Sequence, residues 1–256
     1  MDIIKILQKQ EFKDFYNTSK TIYKFNSKFP YHSAIAVNST SNEVHSIKFY
    51  YGTYSKIEDL SLLKGQFDIN DIKKLYELWD IDNLDNKGLS FCIKYYPKNN
   101  EFKYQVHCKV RKQHSFNNIK FSNTNCRYGI GIEKGEIKNY INVTGINDKI
   151  LVSKLFGVPD LVFFDELEYC ELGDHCKVIT SYNNQKTYLL RNYLLKNYAS
   201  DKEKHHMIHS SIDQMHVKMN LDLRNFGIYK DAGLYSMYFY LPGKNGEVDT
   251  YEPFLH

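Results

Sequence analysis

The sequence lacks the long apolar segment that a membrane-spanning helix requires. No apolar run approaches the roughly 20 residues needed to cross a bilayer, and the N-terminal pattern MDIIKILQKQEFKDF is not that of a signal peptide. We therefore expect a cytoplasmic protein. Hydrophobic residues make up 42% and charged residues 25%, as in ordinary folded domains, and the net charge of +4 is too small to indicate a nucleic-acid partner.

Cysteine is scarce and follows no metal-binding spacing. The five cysteines include no Cys-x-x-Cys pair, and their odd number in a chain without a secretory signal predicts free thiols. Cys170, His175 and Cys176 have the residue types of half a metal site, but a hairpin turn at Gly173-Asp174 explains their spacing better. We expect no metal ion bound by protein side chains.

Alanine is almost missing, whereas aromatic residues abound. Alanine, the strongest helix former, occurs four times, while there are 22 tyrosines and 16 phenylalanines, which favour half-buried strands. A helical lead-in over residues 1–30 is followed by five pairs of predicted strands, in which apolar and polar residues alternate, and turn residues separate the two strands of each pair. The predicted pairs cover 32–38 with 44–51, 89–96 with 102–110, 127–132 with 136–143, 163–171 with 175–182, and 214–221 with 234–241. Helices are predicted within 56–79, 147–157 and 185–199, and the last hairpin is given a long loop containing Gly227 and Gly233.

The five hairpins predict one α+β domain over residues 1–256. No Gly-, Pro- or Ser-rich linker divides the chain, and the hairpins recur at intervals of about 40 residues. Ten antiparallel strands tend to close, because closure removes exposed edges. We therefore expect a closed ten-stranded antiparallel β-barrel with a lumen, ringed by α-helices, because ten strands exceed the roughly eight that side chains can fill.

The strands carry polar residues on one face and apolar residues on the other. Residues two apart share a face, as in Lys103-x-Gln105-x-His107-x-Lys109 or Lys138-x-Tyr140-x-Asn142, and the intervening positions are apolar. On an isolated sheet the polar face would be the solvated one. If helices cover the outside, it lines the lumen instead, and a lumen rich in lysine and tyrosine predicts an anionic ligand.

With Lys-x-Tyr on the second strands of successive hairpins, the sequence resembles the ABBA-fold prenyltransferases. Among them, its strand pattern is most similar to that of the cyanobactin branch. The segments AIAVNSTSNEVHSIKFYYGT and MNLDLRNFGIYKDAGLYSMYFYL are similar to their strand-turn-strand units, and the resemblance covers most of residues 30–243. It implies transfer of an isoprenyl group, dimethylallyl or geranyl, from its diphosphate to an electron-rich acceptor. That acceptor would be a peptide side chain or a small aromatic molecule.

The resemblance implies a role for each inward-facing side chain. Cations stabilise the departing diphosphate, and aromatic faces shield the allyl cation from water. By position, the diphosphate set comprises Lys48, Lys109, Lys138, Lys177 and Lys218. The aromatic shield comprises Tyr50, Tyr140, Tyr238 and Tyr240, with Tyr140 and Tyr238 also expected to be catalytic. Glu168 is the predicted base, with His107 as the alternative, and Lys94 and Tyr96 depend on a strand register that a slip of one residue would reverse.

Several motifs of other enzyme classes are missing. The chain has no DDxxD, HExxH or GxSxG and no Gly-rich phosphate loop; DIDNLD at 80–85 reads as a solvated turn. His205, His206 and His209 lie in a polar stretch typical of a surface. Mg²⁺ is expected only as an ion that the diphosphate brings.

Two other functions fit the same residues. Lysines interleaved with aromatic residues on strands are also used to bind single-stranded nucleic acid, and a barrel of this kind can bind a hydrophobic anion without chemistry. We favour the prenyltransferase. We expect a monomer that acts on a prenyl diphosphate and an acceptor, without a nucleic-acid or membrane partner.

Overall fold

Ten antiparallel strands make up most of the computed structural model of the chain. The structure describes residues 8–11, 13–14, 32–39, 44–53, 69–78, 89–109, 116–122, 128–133, 136–181, 213, 215–217, 222–230 and 234–240. The strands are β1 (His32–Ser39), β2 (Val44–Thr53), β3 (Leu89–Tyr96), β4 (Glu101–Lys109), β5 (Tyr128–Glu133), β6 (Glu136–Val143), β7 (Leu167–Leu172), β8 (His175–Ser181), β9 (Asp222–Tyr229) and β10 (Tyr235–Tyr240).

The strands form a closed barrel in which each pairs with its neighbours in the chain. The last strand, β10, returns to pair with β1, with Ala36 opposite Tyr238, so no edge remains. All pairings are antiparallel, and the five hairpin turns lie at one end of the barrel. The predicted closed ten-stranded antiparallel barrel is confirmed.

Two α-helices between the hairpins have bounds that fall within the described ranges. They are α1 (Ile69–Leu78) and α2 (Ile146–Phe156), and a 3₁₀ helix follows over Pro159–Phe163. Gly157 ends α2 at φ 66°, a left-handed conformation that glycine adopts without steric cost. The predicted helix at 185–199 lies outside the described residues, as do most of the lead-in and the first part of 56–79, so the full ring of helices stays a prediction. None of the helices in the described ranges has the length and apolarity needed to cross a membrane.

The outer face of the barrel is apolar and covered around β7. Tyr169 is fully buried against Phe116, Phe121 and Phe156, with ring centroids 5.4, 5.4 and 6.4 Å away. The segment 116–122 and α2 therefore pack on the outside of the sheet. Buried apolar side chains continue this layer on other strands, among them Ile35, Ile47, Val178, Phe226, Met237 and Phe239.

The prediction for the first strand of the last hairpin is wrong. Residues 213 and 215–217 are helical, and β9 begins at Asp222. Met215, Val217, Met219 and Leu221 alternate as in a strand, but Val217 is 80% exposed. The true strand was hidden by a bulge, since Tyr238 pairs with Asn225 and Phe239 with Leu223, which breaks the two-residue period.

The start of β7 also differs from the prediction. Residues 159–163 form the 3₁₀ helix, and the strand begins at Leu167, four residues later than expected. Pro159 stands at the first helical position, where its fixed φ is compatible with a helix and its missing N–H costs nothing. The apolar run 161–164 was therefore a helical turn rather than the beginning of a strand.

Candidate ligand site inside the barrel

The polar face of the sheet is the inner face of the barrel. Lys48 on β2 donates a hydrogen bond to Gln105 Oε1 on β4 at 3.2 Å, across β3. Lys177 on β8 likewise donates to the Tyr238 hydroxyl on β10, across β9. Such contacts between strands that are not neighbours are possible on the concave side, while the convex side is covered at Tyr169. The predicted lysines and tyrosines therefore share the interior wherever their side chains are described.

Three predicted lysines lie in the interior. Lys48 and Lys177 are buried, and Lys138 is half-buried. Lys109 occupies the position opposite Gly129 in β4, but its side chain lies outside the described residues. Lys218 lies outside them altogether. The strand predicted over 214–221, from which it was expected to point into the lumen, is wrong at residues 215–217, which are helical.

His216 illustrates that correction. It was expected to point inward from the same strand as Lys218, but it is exposed and forms a hydrogen bond between its Nδ1 and Asp222 Oδ1 at 2.8 Å. This contact ties the helical turn to the beginning of β9 and takes no part in the interior.

Two predicted tyrosines face these lysines. The Lys138 ammonium lies 5.3 Å from the Tyr140 ring centroid, and that of Lys177 lies 4.8 Å from the Tyr238 centroid and 5.0 Å from that of Tyr229. All three distances fall within the range of cation–π attraction. Tyr50 and Tyr240 hold the expected strand positions, opposite Cys92 and Asp222 respectively, but their side chains lie outside the described residues.

Glycine makes room for the inward side chains. A Cβ at Gly131 would lie 2.7 Å from His107 Nδ1, and a Cβ at Gly227 would lie 2.6 Å from Lys177 Cε. The His107 ring thus lies over the backbone of β5 and contacts Tyr140 edge to face, with the ring centroids 5.5 Å apart. Gly227, which was expected in a loop, instead allows Lys177 to cross β9 and reach Tyr238.

Lys94 and Tyr96, whose predicted orientation depended on the strand register, lie near the hairpin-turn end. Lys94 pairs with Lys48 and Lys103 in register, so the three share a face, and its ammonium lies 4.4 Å from the Tyr96 centroid. The Lys103 ammonium approaches the same ring at 4.9 Å and Glu101 at 3.9 Å. These side chains are half-buried, and their register agrees with the inward orientation predicted from the sequence.

A cavity opens at the other end of the barrel, where the segments between hairpins lie. Its volume is about 330 Å³, and it is lined by Asn142, Asp165, Glu166, Glu168, Ile179, Asn225 and Tyr238. Asn142 donates a hydrogen bond from Nδ2 to Glu166 Oε1 at 2.5 Å. Ala36, Cys170, Ile179 and Tyr238 pack together in the interior, with Tyr140 against them. The predicted base Glu168 therefore lies on the wall of a cavity that also reaches Tyr238.

The interior shifts its titratable groups toward their neutral forms. Burial raises the pKa of Glu168, although Lys177 and Lys138 oppose the shift, and burial raises the pKa of the Cys170 thiol to about 12. Burial, with Lys138 adding to it, lowers the pKa of Lys177 to about 7. Burial also lowers the pKa of His107 well below its ordinary value, helped by Lys48 and Lys138. Because Lys48 and Lys138 lower the pKa of His107 and Lys138 lowers that of Lys177, an anion bound among these groups would favour their charged forms.

Cys170 and Cys176 do not form half of a metal site. Cys170 faces the interior opposite Lys177, whereas Cys176 pairs with Glu171 on the outer face, and neither forms a disulfide. The hairpin turn at Gly173 has φ 56°, as its spacing suggested. Over the ranges that the structure describes, no group of three or more His, Cys, Asp or Glu side chains is placed to hold a metal ion.

Some interior residues were not singled out from the sequence. Gly131 and Gly227 had a usable signal, because a glycine inside a strand often marks the close approach of another group. Asp165, Glu166 and Asn225 had none, since their meeting depends on how far each strand extends and how the barrel tilts.

Comparisons with known proteins leave the family open. A scan against protein-family models finds no match, and a search of curated proteins finds no significantly similar sequence.

Proposed function

We propose that the chain is a prenyltransferase of the ABBA type, which moves an isoprenyl group from its diphosphate to an electron-rich acceptor. Five successive hairpins form one closed ten-stranded barrel. Along its strands, lysine and tyrosine residues that face the interior alternate with apolar residues that face outward. The strongest support is the contact of Lys138 with the ring of Tyr140 and of Lys177 with that of Tyr238. In each pair a lysine ammonium lies beside an aromatic face, an arrangement that would suit a diphosphate next to an allyl cation.

The leaving group would bind among the cations. As the carbon–oxygen bond breaks, the diphosphate keeps both electrons, and ammonium groups fixed beside it stabilise the developing negative charge. Lys48 and Lys138 fit this role, because both lie near His107 and lower its pKa. His107 is then a neutral imidazole, which can hydrogen-bond to the diphosphate without adding charge.

The allyl cation would be held against the tyrosine rings. The faces of Tyr140 and Tyr238 lie in the same interior cluster as Ile179 and Cys170, so an allyl cation beside them would meet mainly apolar groups. The acceptor then attacks the cation and loses a proton. Glu168 fits as the base, since it lines the cavity and its raised pKa brings its carboxylate closer to the strength that proton transfer near neutral pH requires.

The size of the cavity favours a small donor. About 330 Å³ is at the lower end of the roughly 300–1,000 Å³ of typical ligand pockets. We therefore expect dimethylallyl diphosphate to be used better than geranyl diphosphate. Mg²⁺ brought by the diphosphate stays part of this proposal; the Asp165 and Glu166 carboxylates at the cavity are of the oxygen type that the ion prefers.

The interior position of the lysines favours a small ligand over a nucleic acid. A stacking platform for single strands needs its aromatic and basic side chains on an accessible surface, whereas Lys48, Lys177 and Tyr238 are buried. A barrel that binds a hydrophobic anion without chemistry would use the same residues. Turnover distinguishes it from the enzyme.

The test is incubation with dimethylallyl, geranyl or farnesyl diphosphate and a panel of peptides, phenols and indoles, followed by mass spectrometry. We expect a prenylated acceptor with wild type and a strong loss with Lys138→Ala, while Lys120→Ala, at an exposed position outside the barrel, serves as the matched control. Thermal melting is measured in parallel, because a ligand that binds the folded state raises the melting temperature. A donor-dependent melting shift without product would favour the non-catalytic barrel. Stabilisation by homopolymeric single-stranded DNA or RNA instead, with a steep salt dependence, would favour nucleic-acid binding.

A further inference from the structure

The cavity at the end of the barrel away from the hairpin turns is acidic. Its lining includes the carboxylates of Asp165, Glu166 and Glu168, and no lysine or arginine of the described ranges is part of it. Asp165 and Glu166 are exposed, whereas Ile179 and Tyr238 are buried, so the two carboxylates mark the opening of the cavity and the other two residues its floor. The opening therefore suits a ligand that carries a positive charge.

The lining is also rich in hydrogen-bond acceptors. Besides the carboxylates it contains the amides of Asn142 and Asn225. The Asn142 amide nitrogen donates to Glu166 Oε1 at 2.5 Å, which leaves the other oxygens of the two carboxylates at the opening to receive donors from outside. A guanidinium group has five N–H donors, no acceptor and a planar shape that matches carboxylates. Among charged side chains, arginine fits this opening best.

Exposed apolar side chains gather on the segments next to the opening. Ile146 on α2 is 58% exposed, and Phe163 on the 3₁₀ helix is 62% exposed. Ile150 is also exposed and lies one turn after Ile146, so the two share a face of α2. We call these three residues the apolar rim. Adjoining apolar side chains in solvent are typical of a surface that another molecule covers.

Two hydrogen bonds hold the apolar rim beside the opening. Lys149 in the first turns of α2 donates from Nζ to the Phe164 carbonyl oxygen at 2.6 Å, which fixes α2 against the end of the 3₁₀ helix. The bond between Asn142 and Glu166 joins the chain just before α2 to the chain just after that helix. The rim begins four residues after Asn142 and ends three residues before Glu166. Rim and opening therefore form one continuous surface.

We propose that this surface docks a peptide in which an arginine is flanked by apolar residues. The guanidinium enters between Asp165 and Glu166, and the flanking side chains cover the apolar rim. A cavity of about 330 Å³ admits a side chain rather than a folded element. The carboxylates would repel an anionic lipid surface, so charge complementarity favours a basic peptide. This site goes beyond prenyl transfer, and peptide binding does not depend on that reaction.

The experiment measures peptide binding to the whole protein without a prenyl diphosphate. The probe is a fluorescently labelled peptide, Gly-Leu-Arg-Leu-Gly, followed by fluorescence anisotropy at pH 7 and low salt. One control peptide has glutamine instead of arginine, and the other has glycine instead of both leucines. Each control loses one of the two contacts, so we expect each to bind at least ~10-fold more weakly than the probe. Equal binding of the probe and either control peptide would overturn the proposal.

Protein variants locate the binding surface. Asp165→Asn and Glu166→Gln remove charge at exposed positions, where substitutions rarely affect folding, and each should weaken probe binding several-fold and reduce its salt dependence. Glu136→Gln, an exposed carboxylate at the hairpin-turn end of β6, is the matched control and should bind like wild type. Phe163→Ser should weaken binding of the probe but not of the glycine control, a selective effect that loss of the fold would not produce.

Other occupants of the surface would give different results. Equal affinity of wild type and both charge variants would contradict docking at the opening. A dimer in sedimentation that Phe163→Ser dissociates, without peptide binding, would assign the apolar rim to a second copy of the chain. Binding to phosphatidylcholine vesicles instead of the peptide would assign it to a lipid surface. Each of these outcomes overturns the proposal, and none of them bears on prenyl transfer.

Discussion

The two faces of β7 each carry a carboxylate, and the two carboxylates lie in different environments. On the outer face, Glu171 accepts hydrogen bonds from the backbone N–H groups of Asn117 at 2.5 Å and Asn118 at 3.3 Å. It also accepts one from the Tyr169 hydroxyl at 2.6 Å. On the inner face, the hydrogen bond described for Glu168 comes from the weakly donating Cys170 thiol at 3.7 Å, and its pKa is raised.

The difference indicates separate roles for the outer and inner faces of the barrel wall. Donors from the protein surround the outer carboxylate, so it serves to hold the segment 116–122 on the sheet. On the inner face, the pKa of Glu168 is raised, and the pKa values of Lys177 and His107 are lowered. The protein alone therefore stabilises the charged forms of these groups poorly. A charged ligand bound beside these groups would stabilise their charged forms.

The largest effect is expected from the inner cations on prenyl transfer. Lys48→Ala, Lys138→Ala and Lys177→Ala should each lower kcat by about 2–4 kcal/mol of transition-state stabilisation, as removal of a fixed charge beside a leaving group does. Steady-state kinetics with dimethylallyl diphosphate measures this, with Lys120→Ala as the surface control. Activity equal to wild type in all three variants would show that the inner wall does not hold the diphosphate.

The outer carboxylate should matter for stability rather than activity. Glu171→Gln loses charge on an acceptor of three hydrogen bonds and should cost about 3 kcal/mol in the free energy of unfolding. Glu168→Gln, on the other face of the same strand, removes a charge that burial disfavours and should leave stability unchanged or raised. Urea denaturation of both variants makes the comparison, and equal losses would mean that the two walls are not electrostatically different.

Replacing the inner amine by an uncharged side chain of similar length should stabilise the fold. Lys177→Met removes a cation that burial and Lys138 disfavour, so at pH 7 the variant should be more stable than wild type by more than the ~1.4 kcal/mol that one pKa unit represents. Because the pKa of Lys177 is about 7 in the folded state and 10.5 ordinarily, the unfolded chain binds more protons between these values. Wild-type stability should therefore rise from pH 7 to pH 10. Denaturation across that window should give a flatter profile for Lys177→Met, and parallel profiles would contradict the shift.

Filling the gap under Lys177 tests the packing of the inner wall. The Cβ of Gly227→Ala would lie 2.6 Å from Lys177 Cε, so the side chain must move and the variant should lose about 1–2 kcal/mol. The loss should shrink when Lys177→Ala is combined with it, because the colliding atom is then gone. Additive losses in this double-mutant cycle would show that another contact is responsible.

The sequence predicted the regular parts of the barrel and missed its irregular ones. The alternation in 44–51, 89–96 and 136–143 follows directly from burial of one face, so strand positions and the inward side of Lys48 and Lys138 could be read from it. The bulge in β9 breaks the alternation, and only pairing with β10 reveals it. The cavity with Asp165 and Asn225 depends on the tilt of the closed barrel, which no local pattern encodes.

The smallest effect is expected where the ring is kept and only a hydroxyl is removed. Tyr140→Phe retains the face that Lys138 and His107 contact, so shielding of the allyl cation should persist and kcat should fall by less than about 1 kcal/mol. Tyr140→Ala removes the face and admits water, so the prenyl alcohol should replace the prenylated acceptor as the main product. The ratio of alcohol to prenylated acceptor, measured by chromatography, separates the two roles of this residue. A Phe variant that forms as much alcohol as the Ala variant would mean that the hydroxyl, rather than the π face, protects the cation.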